Sequence, residues 1–322
     1  MSVRSVTHIS ASIVTFNPDI DRLKENLDAI SPQVHAVYLV DNGSKNADEI
    51  ALLVKGYENA ALIKLDENRG LAAAMNVASR QAVRDGSRSM LYLDQDSVSA
   101  PGMVRVLARY QGPGIAIVAP QIVDRNKEGA SDPAACLDRK TYKVASAARK
   151  GIITSGALVD LRAFFLVGGY DERFFIDYVD YDLNKRLLLE GFSLIRTGET
   201  YLLHECGKAV PTFLIVPRRG QDGRWCLERF CTFGHEAFRC YYKARNRVLF
   251  TKKYRLCGGN KGFEGTRQIA VQIILTLLFE SDKRAKLKQF MRGIRDGRAT
   301  AVDPYIPQCA ERVPAFEGAQ HG

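Results

Sequence analysis

An alternation of short apolar runs with helix-like segments constrains the fold of this chain more than any other feature. Between residues 9 and 93, four runs of strand character are separated by three segments whose apolar residues recur at helical spacing; the runs cover residues 9–16, 34–40, 61–65 and 89–93. Strands that alternate with helices predict a parallel, doubly wound α/β sheet. Each run ends in a polar loop, and the carboxyl edge of such a sheet is where ligands bind.

The pattern is looser beyond residue 101. We predict a strand over residues 115–123, an edge strand over 152–160 and a helix over 183–189. Residues 208–224 contain a hairpin-like turn, and the chain reads as helical from 238 to 298 apart from a glycine-rich break. The predicted organisation is therefore an α/β catalytic domain over residues 1–240, with a first half to about residue 100 and a second half from about 101, followed by a basic helical extension over 241–322.

Two carboxylates one residue apart follow the fourth apolar run, in the string Asp94-Gln95-Asp96. Alternate side chains of a strand point the same way, so Asp94 and Asp96 can face one point. Two convergent oxygen ligands suit Mg²⁺ or Mn²⁺ held together with substrate phosphates. A solvated turn after a strand explains the same string, because Asp and Ser favour turns.

Three further positions combine a strand or helix end with a polar side chain. Asp41 can accept a hydrogen bond from the N3–H of a uracil or thymine ring, or it can form an Asx turn. Gly70 can let a phosphate approach backbone amides at a helix start, or it can serve as a simple helix cap. His204 follows an apolar run and is either a ligand or a hydrogen-bonded structural residue.

The segment 168–183 holds five acids and five aromatic residues. An aromatic-lined, partly dry setting raises the pKa of a carboxyl toward working pH, as a general base requires. Asp180 precedes the predicted helix, and its carboxylate can alternatively cap the N-terminus of that helix. The segment therefore carries candidates for a catalytic base.

Net charge indicates which kinds of binding partner are compatible with this chain, and cysteine content indicates its cellular compartment. The net charge is +10, and residues 241–298 hold 15 Lys and Arg against 4 Asp and Glu. Such a region favours anionic surfaces such as phospholipid head groups, nucleic acid or a polyphosphate substrate, or is simply a basic solvated face. Seven cysteines without a C-x-x-C pair predict reduced thiols in a cytoplasmic protein, and we find no signal peptide and no transmembrane stretch.

Taken in order, these motifs resemble the family-2 glycosyltransferases of GT-A fold, and among them the bacterial rhamnosyltransferases of surface-polysaccharide assembly. The resemblance spans about residues 9–250 and is carried by Thr15-Phe16-Asn17, Asp41-Asn42-Gly43-Ser44, Asn68-Arg69-Gly70 with Asn76, Asp94-Gln95-Asp96, Ser155-Gly156, Gly169-Tyr170-Asp171-Glu172 through Asp180, His204 with Gly207, and Tyr241-Tyr242-Lys243-Ala244-Arg245-Asn246.

The resemblance implies a role for each position. Asp180 matches the catalytic base, Asp96 and Asp94 the ligands of Mg²⁺ or Mn²⁺, and His204 a position that completes the coordination. The nucleotide-sugar site comprises Thr15, Phe16, Asn17, Asp41, Asn68, Gly70, Asn76 and Asp94, and residues for the acceptor or the diphosphate are Ser155, Gly156, Arg245 and Asn246.

The resemblance also implies a donor, an acceptor and a location. The expected donor is dTDP-L-rhamnose, the expected acceptor a glycan or a polyprenyl-diphosphate-linked sugar, and the expected location the cytoplasmic face of the cell membrane, with no nucleic-acid partner. Two departures from the family pattern stand out. Val179-Asp180 replaces the common Glu-Asp pair, and residues 211–231 resemble an insertion after His204.

Other functions remain compatible with these residues. A relative using a different UDP- or dTDP-sugar would carry the same motifs. A nucleotidyltransferase would also bind a metal–diphosphate, although it would usually show a Gly-rich, Arg- or Lys-bearing loop where this chain has Phe16-Asn17-Pro18-Asp19. A non-catalytic module that binds a sugar nucleotide or a membrane would not need Asp180 together with the acidic pair.

Overall fold

A computed structural model describes residues 9–126, 132–145, 147, 151–205, 210–219, 225–232, 236–257 and 265–308. Two compact units are present, one reaching Glu205 and including the chain from Ile306 on, the other running from Cys206 to Tyr305. Gly207, the turn at residues 221–223 and the break near Gly258 lie outside the described residues. The predicted domain boundary at residue 240 remains a prediction.

The first unit is built on one large, mostly parallel sheet. Its strands are β1 Ile9–Thr15, β2 Ala36–Asp41, β3 Ala60–Lys64, β4 Ser89–Asp94, β5 Val98–Ser99, β6 Ile115–Asp124, β7 Thr141–Lys143, β8 Leu158–Asp160 and β9 Ser193–His204. The order is β3-β2-β1-β4-β8-β6-β9-β5, with β7 paired to β9. The four predicted N-terminal strands are confirmed as parallel neighbours, which brings their carboxyl ends to one edge.

Helices cover the sheet. They are α1 Ile20–Ile30, α2 Ala47–Val54, α3 Leu71–Arg84, α4 Met103–Ala108, α5 Leu161–Leu166 and α6 Val179–Leu189. Asp19 caps α1 by accepting hydrogen bonds from the amides of Asp21 and Arg22. The helical spacing in α1 buries Leu23 and Leu27 against the sheet, where Ile13 and Leu39 are fully buried. The core therefore lies under the strands whose ends form the candidate site.

Two expectations about the second half of this unit are wrong. Residues 158–160 form an interior strand, because β8 pairs antiparallel with both β4 and β6, and an edge position would leave one side open. The helix expected from residue 183 begins at Val179, which places Asp180 in its first turn. The apolar run before His204 proves to be the end of β9, a twelve-residue strand that pairs parallel with β6.

The second unit is a hairpin followed by three helices. The hairpin consists of β10 Val210–Arg219 and β11 Trp225–Thr232, and the helices are α7 Ala237–Lys253, α8 Arg267–Phe279 and α9 Lys283–Ala299. Cys240, Val248, Ile269 and Phe290 belong to the buried cluster that joins the three helices. Within the described parts of the chain, no helix is both long and apolar enough to cross a membrane.

Candidate active site

The ends of β1 and β2 place Thr15 beside Asp41. The two residues are paired across the strands, and Thr15 Oγ1 donates to Asp41 Oδ1 over 3.4 Å. Asp41 is 1% exposed, and its Oδ1 also accepts from the amide of Ser44. The carboxylate is thus held in one orientation at the carboxyl edge of the sheet.

The loop after β1 continues this edge. The Phe16 amide donates to Gln95 Oε1 over 2.9 Å, which connects the loop to the acidic string after β4. Asn17 has a left-handed backbone with φ of 48°, and its Oδ1 accepts from the amide of Lys45. Phe16 leaves about half of its surface exposed beside these fixed backbone positions.

Asn68 and Gly70 shape the turn into α3. Asn68 Oδ1 accepts from the Gly70 amide and from Asn42 Nδ2, each over 3.0 Å. Gly70 has φ of +86°, and a Cβ at this position would lie 2.6 Å from the ring of Phe175. The Leu71 amide donates to the Phe175 carbonyl over 2.7 Å, so the helix start and the segment that leads to Asp180 are in direct contact.

Asn76 lies within α3 and holds the same segment from the other side. Its Oδ1 accepts from the Tyr170 amide, and its Nδ2 donates to the Tyr170 carbonyl and to Glu172 Oε1. The side chain is 5% exposed, and both of its polar atoms are used in these bonds. Asn76 therefore positions the aromatic and acidic segment that leads to Asp180.

Asp94, Asp96 and His204 come together at the carboxyl edge. One ligand atom from each lies within 4.8 Å of the others, and His204 Nδ1 is 3.6 Å from Asp94 Oδ2. Among the described residues, no hydrogen-bond donor reaches the buried Oδ1 of Asp96. A buried carboxylate oxygen without a donor is costly unless a cation satisfies it, so this donor set fits a divalent metal ion.

Two serines that the sequence analysis did not connect with the metal ligands support this cluster. Ser97 Oγ lies 2.9 Å from Ser155 Oγ and 3.2 Å from His204 Nδ1, and Ser155 Oγ accepts from the Asp94 amide. Ser97 is fully buried. Hydrogen bonds from neighbouring residues to metal-ligating side chains orient those ligands. Ser97 follows Asp96 directly in the sequence. No sequence pattern, however, predicted that residues 97, 155 and 204 would be in contact.

Arg125 is a second residue that the sequence analysis missed. Its Nη1 donates to the Asp96 carbonyl over 3.3 Å, and its Nη2 pairs with Glu25 at 3.0 Å. Burial raises the pKa of Glu25, but hydrogen bonds and charges from Arg125 and Arg22 outweigh it and leave the pKa lowered. Arg125 therefore connects α1, the end of β6 and the acidic loop.

Asp180 lies in the first turn of α6 and is partly buried. Desolvation raises its pKa to about 7, the hydrogen bond from the Tyr181 amide opposes the rise, and the charges of Asp177 and Asp94 add to it. Asp94 is thus close enough to Asp180 for its charge to affect the pKa of Asp180. A carboxyl that titrates near neutrality is suited to general base chemistry.

Asp182, four residues before Arg186, has a different environment. Asp182 Oδ2 pairs with Arg186 Nη2 at 2.6 Å, and the side chains are 0% and 3% exposed. Arg186 also donates to the Val167 carbonyl. This buried ion pair connects α6 to the segment after α5, so Asp182 serves packing rather than the open site.

The four residues assigned to the acceptor or the diphosphate lie in different parts of the chain. Ser155 touches the metal cluster as described, and the Gly156 amide donates to the Tyr92 carbonyl over 2.8 Å. Gly156 has φ of +84°, and its Cβ position is crowded by Pro120 and Leu202 at 3.1 Å. Arg245 and Asn246 belong to α7 in the second unit, where Asn246 is fully buried. Their roles remain predictions.

A mostly parallel α/β sheet with an acidic pair and a histidine at its carboxyl edge defines a GT-A-type fold. The solved structure "Crystal structure of GalNAc-T7 with UDP, GalNAc and Mn2+" shares this fold, with a TM-score of 0.50 and 14% identity. The match covers 63% of this chain but only 44% of that one. It supports the architecture alone.

Residues 10–158 match the family described as "Glycosyl transferase family 2". Over 306 residues the chain is 25% identical to "dTDP-rhamnosyl transferase RfbF" of Shigella flexneri, and the match covers 89% of this chain and 93% of that relative. The chain therefore carries a family-2 glycosyltransferase domain over residues 10–158 and resembles rhamnosyltransferases along most of its length.

Proposed function

We propose that this protein is a metal-dependent, inverting glycosyltransferase that moves L-rhamnose from dTDP-L-rhamnose to an acceptor in cell-surface glycan synthesis. The similarity to a dTDP-rhamnosyl transferase extends over most of both chains and supports the donor. The observation that carries the mechanism is the raised pKa of Asp180 beside Asp94, a member of the candidate metal cluster.

The donor nucleotide is assigned to the ends of the first strands. Asp41, oriented by Thr15, accepts from the N3–H of the thymine ring, and Phe16 and Asn17 border the base. Asn68 and Gly70 shape the neighbouring turn, and Asn76 holds the segment that faces it. Asp94 is assigned both to the nucleotide-sugar site and to the metal cluster.

Asp94, Asp96 and His204 are the residues that hold Mg²⁺ or Mn²⁺. A cation held there would supply charge neutralisation for the leaving nucleoside diphosphate. Ser97 and Ser155 keep Asp94 and His204 in place, and Arg125 restrains the Asp96 backbone. The chain therefore supplies both the ligands and the contacts that orient them.

Asp180 is the general base. It accepts the proton of an acceptor hydroxyl, whose oxygen bonds to the anomeric carbon as the bond to the nucleoside diphosphate breaks on the opposite face. The sugar is thereby transferred with inversion. Desolvation keeps the carboxyl basic enough to take this proton near neutral pH.

The acceptor is a glycan or a polyprenyl-diphosphate-linked sugar. Ser155, Gly156, Arg245 and Asn246 are the residues we assign to the acceptor or the diphosphate. A lipid-linked acceptor places the enzyme at the cytoplasmic face of the membrane, and the basic region from residue 241 suits that location. No nucleic-acid partner is proposed.

Turnover of dTDP-L-rhamnose with Mg²⁺ or Mn²⁺ tests the assignment. Asp180→Asn should keep donor affinity and lose about 10²–10⁴-fold in rate, because donor binding rests on other residues. Asp96→Asn should lose metal-dependent donor binding. In the wild type, kcat/KM should rise with pH as Asp180 deprotonates.

Two outcomes would contradict the proposal. Near wild-type transfer by Asp180→Asn would show that Asp180 is not the base. Equal metal-dependent donor affinity in wild type and Asp96→Asn would show that Asp96 does not belong to the metal site. Turnover measured with a panel of UDP- and dTDP-sugars identifies the donor independently. An error about the donor is then distinguishable from an error about the base or the metal site.

A further inference from the structure

Helix α8 is mostly apolar, apart from Arg267, Gln268, Gln272 and Thr276, yet it is poorly covered. Of its thirteen residues only Ile269 and Thr276 are buried. Val271, Ile274 and Leu278 are between 46% and 58% exposed, and their spacing places them on one face of the helix. The apolar stripe of a helix normally packs against other apolar groups, so this exposed face is suited to an apolar partner.

The β10–β11 hairpin extends this apolar surface. Ile215, Trp225 and Leu227 are 60%, 73% and 75% exposed, and the strand register places them on one face of the hairpin. The ring of Phe213, itself 80% exposed, lies 5.0 Å from the ring of Phe279 at the end of α8. We call the exposed faces of α8 and the hairpin the apolar surface.

Basic side chains lie on α9, the helix that follows α8. Arg284, Lys288, Arg295 and Arg298 are exposed on α9 at positions that share one helix face. Glu280 pairs with the buried Lys286 at 2.9 Å, and Asp296 pairs with Arg295 at 3.0 Å, so Arg284, Lys288 and Arg298 contribute most of the net charge of this face. The Lys286–Glu280 pair also connects the start of α9 to the end of α8.

We infer that the apolar surface and the basic face of α9 dock the protein on an anionic lipid bilayer, with α8 lying in the interface. Thirteen residues span about 20 Å as a helix, which is too short for a hydrocarbon core of about 30 Å. An apolar face combined with Lys and Arg is the pattern of interfacial helices, and exposed aromatic residues favour the same depth.

A second copy of the chain is a poorer occupant. A two-fold dimer would place the same patch of both protomers face to face. The cations of α9 would then meet their own equivalents, and like charges across an interface are costly. An anionic bilayer satisfies the apolar and the basic residues together. The inference makes the proposed membrane location specific, and it does not depend on the transfer reaction.

Co-sedimentation of the full chain with vesicles tests this surface. The vesicles contain phosphatidylcholine, with or without about one third phosphatidylglycerol. Ile274→Glu should weaken binding to the anionic vesicles on the order of 10–100-fold, the effect of withdrawing one large apolar side chain. Leu52→Glu, at a residue of α2 that is 71% exposed in the first unit, is the matched control and should bind like wild type.

Two further readouts test the charge and the geometry. Replacing Arg284, Lys288 and Arg298 together by Gln should weaken binding on the order of 100-fold, and added salt should weaken the wild type. Trp225 is the single tryptophan of the chain, so its fluorescence should shift to the blue when the hairpin enters the bilayer.

Wild-type binding that ignores phosphatidylglycerol, or an Ile274→Glu variant that binds like Leu52→Glu, would overturn the inference. A dimer in sedimentation velocity that Ile274→Glu dissociates, without vesicle binding by the wild type, would assign the surface to a second copy. Asp180→Asn should still bind vesicles, and Ile274→Glu should still hydrolyse donor without acceptor. Failure of docking and failure of the transfer mechanism are therefore distinguishable.

Discussion

At the scale of single residues, Asp180 shows two opposing effects on one carboxyl. The first turn of a helix favours a negative charge, and the Tyr181 amide donates to Asp180 Oδ1 over 2.8 Å. Desolvation and the charges of Asp177 and Asp94 act in the other direction and outweigh these contacts, so the pKa rises to about 7. The arrangement lowers stability in order to keep a basic carboxylate at the site.

Asp180→Asn should therefore stabilise the metal-free protein at pH 8. The pKa is about 7 in the folded chain against an ordinary value of 3.8, so wild-type unfolding free energy falls as pH rises through this window and stays lower above it. We expect a gain of ~1 kcal/mol, or about 2–4 °C in Tm, which vanishes near pH 4. Thermal unfolding in EDTA at both pH values checks it, and a variant no more stable at pH 8 would contradict the raised pKa.

Ser97 is expected to act on the metal through His204. Ser97→Ala removes the hydroxyl that lies 3.2 Å from His204 Nδ1, and loss of such a contact typically weakens metal affinity about 10–100-fold. Mn²⁺ titration by calorimetry measures the change. Ser99→Ala is the control, since Ser99 is also buried but accepts from Gln33 Nε2 instead. Equal Mn²⁺ affinities in the two variants would exclude this role.

At the scale of elements, the start of α3 depends on a close approach between two segments. The Leu71 amide donates to the Phe175 carbonyl, and Gly70 leaves no room for a side chain beneath the Phe175 ring. Asn76, further along α3, binds Tyr170 and Glu172. One helix thereby connects the turn at Asn68–Gly70 with the segment that leads to Asp180.

Gly70→Ala should cost more stability than Gly86→Ala. Both glycines have φ of +86°, so both substitutions strain the backbone, on the order of 1 kcal/mol or more, and the ψ of 163° at Gly70 adds to the strain there. A Cβ at Gly70 would also meet the Phe175 ring at 2.6 Å, whereas a Cβ at Gly86 would meet nothing within 4 Å. Urea unfolding of both variants measures the combined cost of the clash and of the Gly70 backbone conformation. Equal losses would mean that the Phe175 contact yields without cost.

At the scale of the whole molecule, the sheet order explains how distant segments form one site. β4 lies between β1 and β8, and β9 adds His204 from the far side of β6. The candidate metal ligands therefore come from parts of the chain that are more than a hundred residues apart in sequence. Ser97, which follows the acidic pair, is 107 positions before His204 and contacts it. Ligand binding should consequently stabilise the first unit as a whole.

Mn²⁺ with dTDP is expected to raise the Tm of the wild type. A ligand that binds only the folded state stabilises it by mass action, by about 2.7 kcal/mol at a hundredfold excess over Kd. EDTA should abolish the shift, because the diphosphate is held through the cation, and Asp96→Asn should show none. Differential scanning fluorimetry provides the measurement. An unchanged shift in Asp96→Asn would place nucleotide binding outside the acidic cluster.

The sequence alone determined the donor half of the molecule and the residue types of its chemistry. The strands from residue 9 to 93 are consecutive, parallel and buried, so apolar periodicity identifies them and polar loops mark their ends. The Asp-x-Asp string and the ordered motifs led to the glycosyltransferase class, which the family match confirms. These features depend on neighbours in sequence.

Tertiary structure alone decided which of the candidates meet and how each carboxyl is solvated. β8 has three residues, too few for a periodic pattern, and its place between β4 and β6 depends on two long-range pairings. Asp180 and Asp182 are two residues apart in one helix, yet desolvation raises the pKa of Asp180 while Asp182 is buried in an ion pair with Arg186. Desolvation and charge pairing depend on distances in space, so a sequence that specifies both carboxylates does not by itself distinguish the base from the structural ion pair.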